Sequence, residues 1–324
     1  MLRRTSTIDF ALRALGCALA FVASCAVTGN GSPNTNPEGE LADARAATHG
    51  ELDVPDSSGP DVAVLVRAGK QGSERERVVM TRVRSFGRGD TNVRVQLFAM
   101  VHMARPMYWT EIQRRLIGEQ QVIYEGICIG AGIPRESSVA YMRRYQHAFA
   151  DVLGGDLQPD IPTSVRGTRW IRADISAAEV LEIAGAEEDA RMVESLKSRV
   201  EALETLVRGG TIDGYTKQSA RAGMRQRMVD EIVSGAREMG SSGSSPGFAE
   251  VQLTRESRVV SQLRTLLADP SNLRVSVLYG AGHTVALAAR FEAELGLHES
   301  SSSWIEAITV PGAATPRSGP VAPK

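Results

Sequence analysis

Between residues 61 and 310 the hydrophobic and polar positions follow two rhythms. Residues 62–66 (VAVLV), 78–83 and 93–98 (VRVQLF) are β-branched runs broken by Gly- and charge-rich turns, the pattern of a strand meander. After His102 the apolar positions Tyr108, Ile112, Leu116 and Ile117 recur at helical spacing, with Glu111, Arg114 and Arg115 on the opposite side. Residues 121–124 (QVIY) then form a short apolar strand that ends at Glu125. Strand, helix and strand in this order make the building block of a parallel sheet.

The middle of the chain is predicted to be mostly helical, over residues 137–153, 176–207 and 216–239. Ser176 with Glu179 three residues later is a capping-box signature for the start of the second helix. Residues 240–247 (GSSGSSPG) read as a loop. An amphipathic helix over residues 255–267, a turn at Asp269-Pro270, a strand over residues 274–279 (RVSVLY), a helix over residues 284–295 and an edge strand over residues 304–310 complete the unit.

The two ends break these rhythms. Arg3, Arg4 and Arg13 precede an uncharged apolar run, residues 14–24, which is followed at once by Cys25. That length fits a signal-peptide core and falls short of the ~20 residues of a membrane span. Residues 22–25 (VASC) resemble a bacterial lipobox, which predicts cleavage before Cys25 and a lipid on its thiol; an ordinary secretory signal with an incidental Cys is the other reading. Residues 25–60 are rich in Gly, Ser, Asn, Pro and Asp and are predicted to be a flexible tether, and residues 311–324 a disordered tail. Ala26 is not the Asp that commonly retains lipoproteins at the inner membrane, so the expected location is the cell envelope, at the outer membrane where there are two. Cleavage would leave Cys128 as the one unpaired thiol, expected to be buried and inert.

Composition narrows the function classes. With 37 Lys+Arg against 38 Asp+Glu the formal net charge is -1, which lacks the basic footprint of sequence-independent nucleic-acid binding. No GxSxG element and no phosphate-binding loop occurs, and the glycines of EGICIGAGIP do not have dinucleotide-binding spacing. His147 lies among Met142, Tyr145 and Phe149 on a predicted helix and is expected to pack there.

Candidate chemistry comes from a repeated local pattern. VRVQLF is followed by Ala99-Met100-Val101-His102, and RVSVLY by Gly280-Ala281-Gly282-His283. In both, an apolar strand ends in a small residue and places a His three positions on, just before a helix. Ligands of open α/β sheets bind beyond the carboxyl ends of the strands. Glu125 stands at the same address, and a carboxylate at the end of so apolar a strand calls for a partner. Two His and one Glu form a sensible divalent-metal set that leaves a position for water. Set against this, a His after a strand is often a hydrogen-bonded loop residue, and such a Glu is often simply solvated.

The segments VQLFAMVHMARPMYWTEIQRRLIGEQQVIYEGI and RESRVVSQLRTLLADPSNLRVSVLYGAGHTVALAARFEAELGL resemble the TraB/PrgY/GumN family. That family includes the Tiki metalloproteases and is similar in fold to erythromycin esterases and the ChaN haem-binding lipoproteins. The resemblance covers most of residues 93–310. It implies an α/β (α+β) fold: a central mixed sheet of two pseudo-repeated halves flanked by helices, with a mostly helical middle insertion. It also implies that His102, Glu125 and His283 share a site.

The family's helical Arg-Asn pair falls on Arg255 and Glu256, so Arg255 is expected to steady a substrate carboxylate or oxyanion. Asp174, in WIRADIS, is expected either to enter the site or to cap the next helix. Ala99 replaces the family's first Gly, and Glu256 its Asn. The implied function is a membrane-tethered, metal-dependent hydrolase acting on peptides, with Mn, Co or Zn at His102, Glu125 and His283 and with Glu125 as base if it is not a ligand. The alternative is a non-catalytic lipoprotein that binds haem or a peptide.

Overall fold

The computed structural model describes residues 60–68, 75–89, 91–127, 133–153, 156–157, 167–212, 246–271 and 273–311, together with several residues between 216 and 229. Cys25, the expected tether except Pro60, Cys128 and most of the expected tail lie outside the described residues.

Seven strands form one mixed sheet: β1 (Val62–Ala68), β2 (Arg75–Gly87), β3 (Arg94–Met100), β5 (Gln121–Tyr124), β7 (Arg169–Arg172), β8 (Arg274–Gly280) and β9 (His298–Pro311). A separate short pair joins β4 (Met103–Ala104) to β6 (Asp156–Leu157). The helices are α1 (Pro106–Leu116), α2 (Ser138–Leu153), α3 (Ala177–Val207), α4 (Pro246–Leu267) and α5 (Ala281–Leu295).

The sheet has two characters. β2 runs antiparallel to β1, β3 and β9. β1 and β3 use successive stretches of β2, so they share one edge of it while β9 takes the other. Beyond β3 the order β3-β8-β5-β7 is wholly parallel. Parallel strands need both faces covered, and alternate residues of each strand supply two cores. Phe98, Met100, Val122 and Leu278 pack with Tyr108, Ile112 and Leu116 of α1 and with apolar positions of α2 and α3. Leu97, Ile123, Val275 and Val277 pack with Val259 and Leu263 of α4 and with Leu287 and Phe291 of α5.

The α/β mixed sheet expected from the sequence is thus present. The two strand-His-helix units lie side by side as neighbouring parallel strands, with Met100 paired to Gly280. Their helices leave toward opposite faces, α1 to one core and α5 to the other. A crevice opens where successive helices diverge in this way, and here it falls between the two histidines. The repeat stops at the helices, because β5 follows α1 in parallel whereas β9 returns antiparallel along β2.

Several boundaries move. α4 begins at Pro246, nine residues before its expected start, and α5 begins directly at Ala281. β9 starts at His298, six residues before the expected edge strand; α5 is capped by Gly296, whose left-handed φ of 63 lets the chain turn back at once. His147 is exposed on α2, because Met142, Tyr145 and Phe149 occupy the opposite side of the helix. The capping box at Ser176 and Glu179 is formed in both directions, which leaves Asp174 uninvolved in it.

Candidate functional site

Each parallel strand delivers one ionisable side chain at its carboxyl end. His102 follows β3 by two residues, Glu125 follows β5 directly, Asp174 follows β7 by two, and His283 lies in the first turn of α5 after β8. From the helix that covers one face, α4 adds Arg255 and Glu256. All six are buried, Arg255 and His283 to 1% exposure. Charged groups are rarely buried in such number unless they pair, and these do.

Arg255 is the hub. Its Nε donates to Asp174 Oδ1 at 2.8 Å and its Nη2 to Asp174 Oδ2 at 2.7 Å, a bidentate fork. The same Nη2 reaches Glu125 Oε1 at 2.6 Å. Burial disfavours the charged guanidinium, but Asp174 and Glu125 outweigh it, and the Arg255 pKa is held well above its ordinary value. The guanidinium also stands over the Tyr279 ring, 5.5 Å from its centroid. Burial raises the Tyr279 phenol well above its usual range, against the pull of Arg255, so it stays a neutral wall of the site.

Backbone amides complete the carboxylates. Asp174 accepts from the N–H of Gly126 at 2.9 Å and of Ile175 at 2.8 Å. Glu125 Oε2 accepts from the N–H of Gly280, the residue at the strand-to-helix turn. The second small-x-x-His element therefore begins with a glycine whose amide holds the carboxylate of the neighbouring strand.

The imidazoles are placed differently. His283 Nδ1 lies 3.0 Å from Glu256 Oε1, and because a carboxylate only accepts, the ring nitrogen must carry the proton. That tautomer leaves Nε2 as a lone pair, 3.4 Å from Arg255 Nη1. His283 also meets the Tyr279 ring edge-on, with centroids 5.3 Å apart. His102 Nε2 lies 3.9 Å from Glu125 Oε2, beyond hydrogen-bond reach but inside charge-pairing distance.

These positions bring together every expected site residue in the described part of the chain. Asp174 enters the site and is not a helix cap. Arg255 has a different immediate task from the one its residue type suggests, since its fork binds protein carboxylates and not an incoming anion. Glu256 points inward and orients His283. Ala99 lies inside β3, buried and paired with Tyr279, so the position is extended strand and a methyl is accommodated. Sequence reasoning missed Tyr279 and the amides of Gly126 and Gly280. The alternation of RVSVLY sets Tyr279 apart from Leu278, but nothing in the sequence pairs it with residues near 174 or 255.

The donor set has an imbalance that a cation would relieve. Glu125, Asp174 and Glu256 are three buried carboxylates facing one permanent buried cation, Arg255. Imidazole suits transition metals such as Zn, and a carboxylate on the far nitrogen, as Glu256 is on His283, is how such ligands are commonly oriented. In chemistry, then, His102, Glu125 and His283 fit a divalent ion. As arranged, both Glu125 oxygens are engaged by Arg255 and Gly280, and among the described residues no three His, Cys, Asp or Glu are gathered as a metal-holding group.

Comparison with family models, with curated proteins and with solved structures finds no match to this chain.

Proposed function

We propose that this protein is a hydrolase of peptides whose reaction takes place at the carboxyl ends of the four parallel strands. The observation that carries the proposal is the buried constellation itself: two imidazoles and three carboxylates share one end of a sheet with a single guanidinium, at the divergence of two helices. Burying that much charge costs several kcal/mol per unpaired ion, and sites of chemistry are where folds bear such a cost. The resemblance to the Tiki-containing family supports the choice of peptide bonds and of a metal.

His102, Glu125 and His283 would hold a divalent metal, which would supply a bound water of lowered pKa as the nucleophile. The chain's own residues do the rest. Glu256 fixes the His283 tautomer so that Nε2 faces the reacting centre. Arg255 holds the Glu125 carboxylate toward the site; if Glu125 is not a ligand, it is the candidate base for the attacking water. Asp174, held by two backbone amides, keeps Arg255 in place. Under this reading the domain works in the cell envelope, held there by the lipid expected on Cys25.

Elemental analysis after dialysis against Mn, Co and Zn tests the proposal, with wild type compared to a His102→Ala, His283→Ala variant. About one metal per chain in wild type, lost in the variant, is expected, together with loss of peptide hydrolysis of at least ~100-fold in either single variant. Full hydrolysis in both single variants would sink the assignment. No metal in either protein would remove the cofactor and turn the search toward haem and peptide binding.

A further inference from the structure

The opposite end of the parallel sheet carries a different set of residues, which the proposed hydrolysis does not use. β3 and β8 start with Arg94 and Arg274, which are direct neighbours in register. β7 starts with Arg169, two strands across from β8, beyond Gln121 of β5. Arg169 and Arg274 are exposed, and neither has a carboxylate partner among the described residues. Arg94 is half exposed while its guanidinium tip pairs with the buried Glu119.

Two aliphatic side chains protrude among these arginines. Ile117, at the end of α1, is 71% exposed, and Leu273, just before β8, is 37% exposed. The segments that carry them are adjacent: Leu273 N–H donates to the Gln120 side chain, and a Cβ on Gly118 would lie 3.8 Å from Arg274 Nη1. Glu111 is shared by Arg114 and Arg115, and Glu294 by Arg264 and Arg290, so each group keeps one positive charge. Asp269, held by Ser271, and the exposed Glu292 remain negative. With Arg169 and Arg274 the balance at this end is positive, and Ile117 and Leu273 protrude beside it.

We infer that this end of the sheet docks on an anionic phospholipid surface, with Arg169 and Arg274 on headgroup phosphates and Ile117 and Leu273 inserted at the acyl boundary. A groove on an acidic protein would match the arginines but would offer nothing to Ile117. A lipid interface matches both, since cationic heads attract the leaflet charge while aliphatic tips bury. The contact is peripheral, because no described helix is long and apolar enough to cross a membrane. It has a consequence for the site. β8 is 7 residues long, so at ~3.3 Å per residue the candidate site lies ~20 Å from the patch, facing away from the lipid. A docked domain would present the site to the space beyond the membrane.

The test uses the full chain carrying Cys25→Ser, so that no lipid anchor contributes, and it reads no catalytic activity. Partition into phosphatidylcholine vesicles is compared with partition into vesicles containing about 30% phosphatidylglycerol. The expected result is at least ~10-fold stronger partition into the anionic vesicles, weakening with salt. Arg169→Gln with Arg274→Gln should abolish the preference, and Ile117→Ser should weaken binding to the anionic vesicles several-fold. These side chains are exposed, so an unchanged melting temperature verifies the fold of each variant. Equal partition into both vesicles, or a preference that survives loss of both arginines, would overturn the inference. Either result leaves the hydrolase proposal standing, because that proposal rests on the other end of the strands.

Discussion

Two ion clusters, one partly and one fully buried, cross-link elements of this fold, and they differ in composition. At the antiparallel side, Asp61, Arg82, Arg84 and Glu299 tie β1, β2 and β9 together. Arg82 Nη2 binds Glu299 at 2.8 Å, and Arg84 binds Asp61 and Glu299 at 2.7 Å each. Two guanidiniums face two carboxylates, and no imidazole is present. Burial and then the neighbouring Arg84 push the Arg82 pKa below its ordinary value. Burial works against Arg84 too, but Asp61 and Glu299 outweigh it and raise its pKa. At the parallel side, one guanidinium faces three carboxylates and two imidazoles. A balanced cluster has nothing left to offer a ligand, whereas an unbalanced one that contains titratable nitrogen can accept a proton or a metal. By this contrast the first cluster suits a structural role and the second the chemistry proposed for it, and the second is also the drier, since Glu299 keeps 22% of its side chain exposed and Arg255 only 1%.

The largest expected effects test that contrast directly. Arg255→Met leaves Glu125 and Asp174 buried without their cation and should cost about 3–5 kcal/mol in urea unfolding, whereas Arg82→Met leaves Asp61 and Glu299 paired with Arg84 and should cost less. Only the change at Arg255 should also lower metal content and hydrolysis in the fraction that remains folded. If Arg255→Met proves too unstable to isolate, Arg255→Lys keeps the charge but loses the bidentate fork, and it should show the same functional loss with a smaller stability cost. Loss of metal binding in folded Arg82→Met protein would break the distinction between the clusters.

A gentler pair of changes sharpens the same comparison. Glu256→Gln retains shape but removes the charge on His283 Nδ1, and it should reduce metal affinity or turnover about 10–100-fold. Glu299→Gln makes the equivalent change in the other cluster. It should lower the midpoint of urea unfolding and leave turnover per folded molecule unaltered.

Much of the frame was legible because it is periodic. The strands around Val95, Ile123 and Val277 and the helix carrying Tyr108 and Ile112 announce themselves by spacing, and the two strand-His-helix units by their repetition. The site was legible as types of residue but not as bonds. Asp174 and Arg255 are 81 positions apart in the sequence, and no local pattern foretells that their side chains lock together. The capping box at Ser176 was the one local clue that released Asp174 for another role. The early start of α4 was hidden by Gly247 and the serines before it, which signal a turn, while packing of Val251 into the core favours helix. Arg82 and Arg84 carry no local sign of their ion pairs, which form only where β2 pairs with β9.

The smallest effect concerns how the first histidine is held. Tyr108 is buried under the end of β3; its hydroxyl accepts from Thr81 Oγ1 at 3.2 Å and donates to the carbonyl of Ala99 at 3.3 Å, three residues before His102. Tyr108→Phe should cost about 1 kcal/mol at pH 7, the ordinary net value of such hydrogen bonds. The alkaline range separates this side chain from its neighbours. Burial pushes the Tyr108 pKa up to about 12 from the usual 10.0. A pKa raised on folding means that the unfolded chain loses its proton first. The stability linked to Tyr108 is therefore complete below pH 10 and drains away as the pH rises toward 12. Wild type should lose about 2–3 kcal/mol through this one group across that window, and Tyr108→Phe should lose that much less. Urea unfolding of both proteins at pH 9, 10 and 11 reads the difference directly: the two stability curves should converge and then cross between about pH 10 and 11, and parallel curves would show that the hydroxyl is not buried against β3.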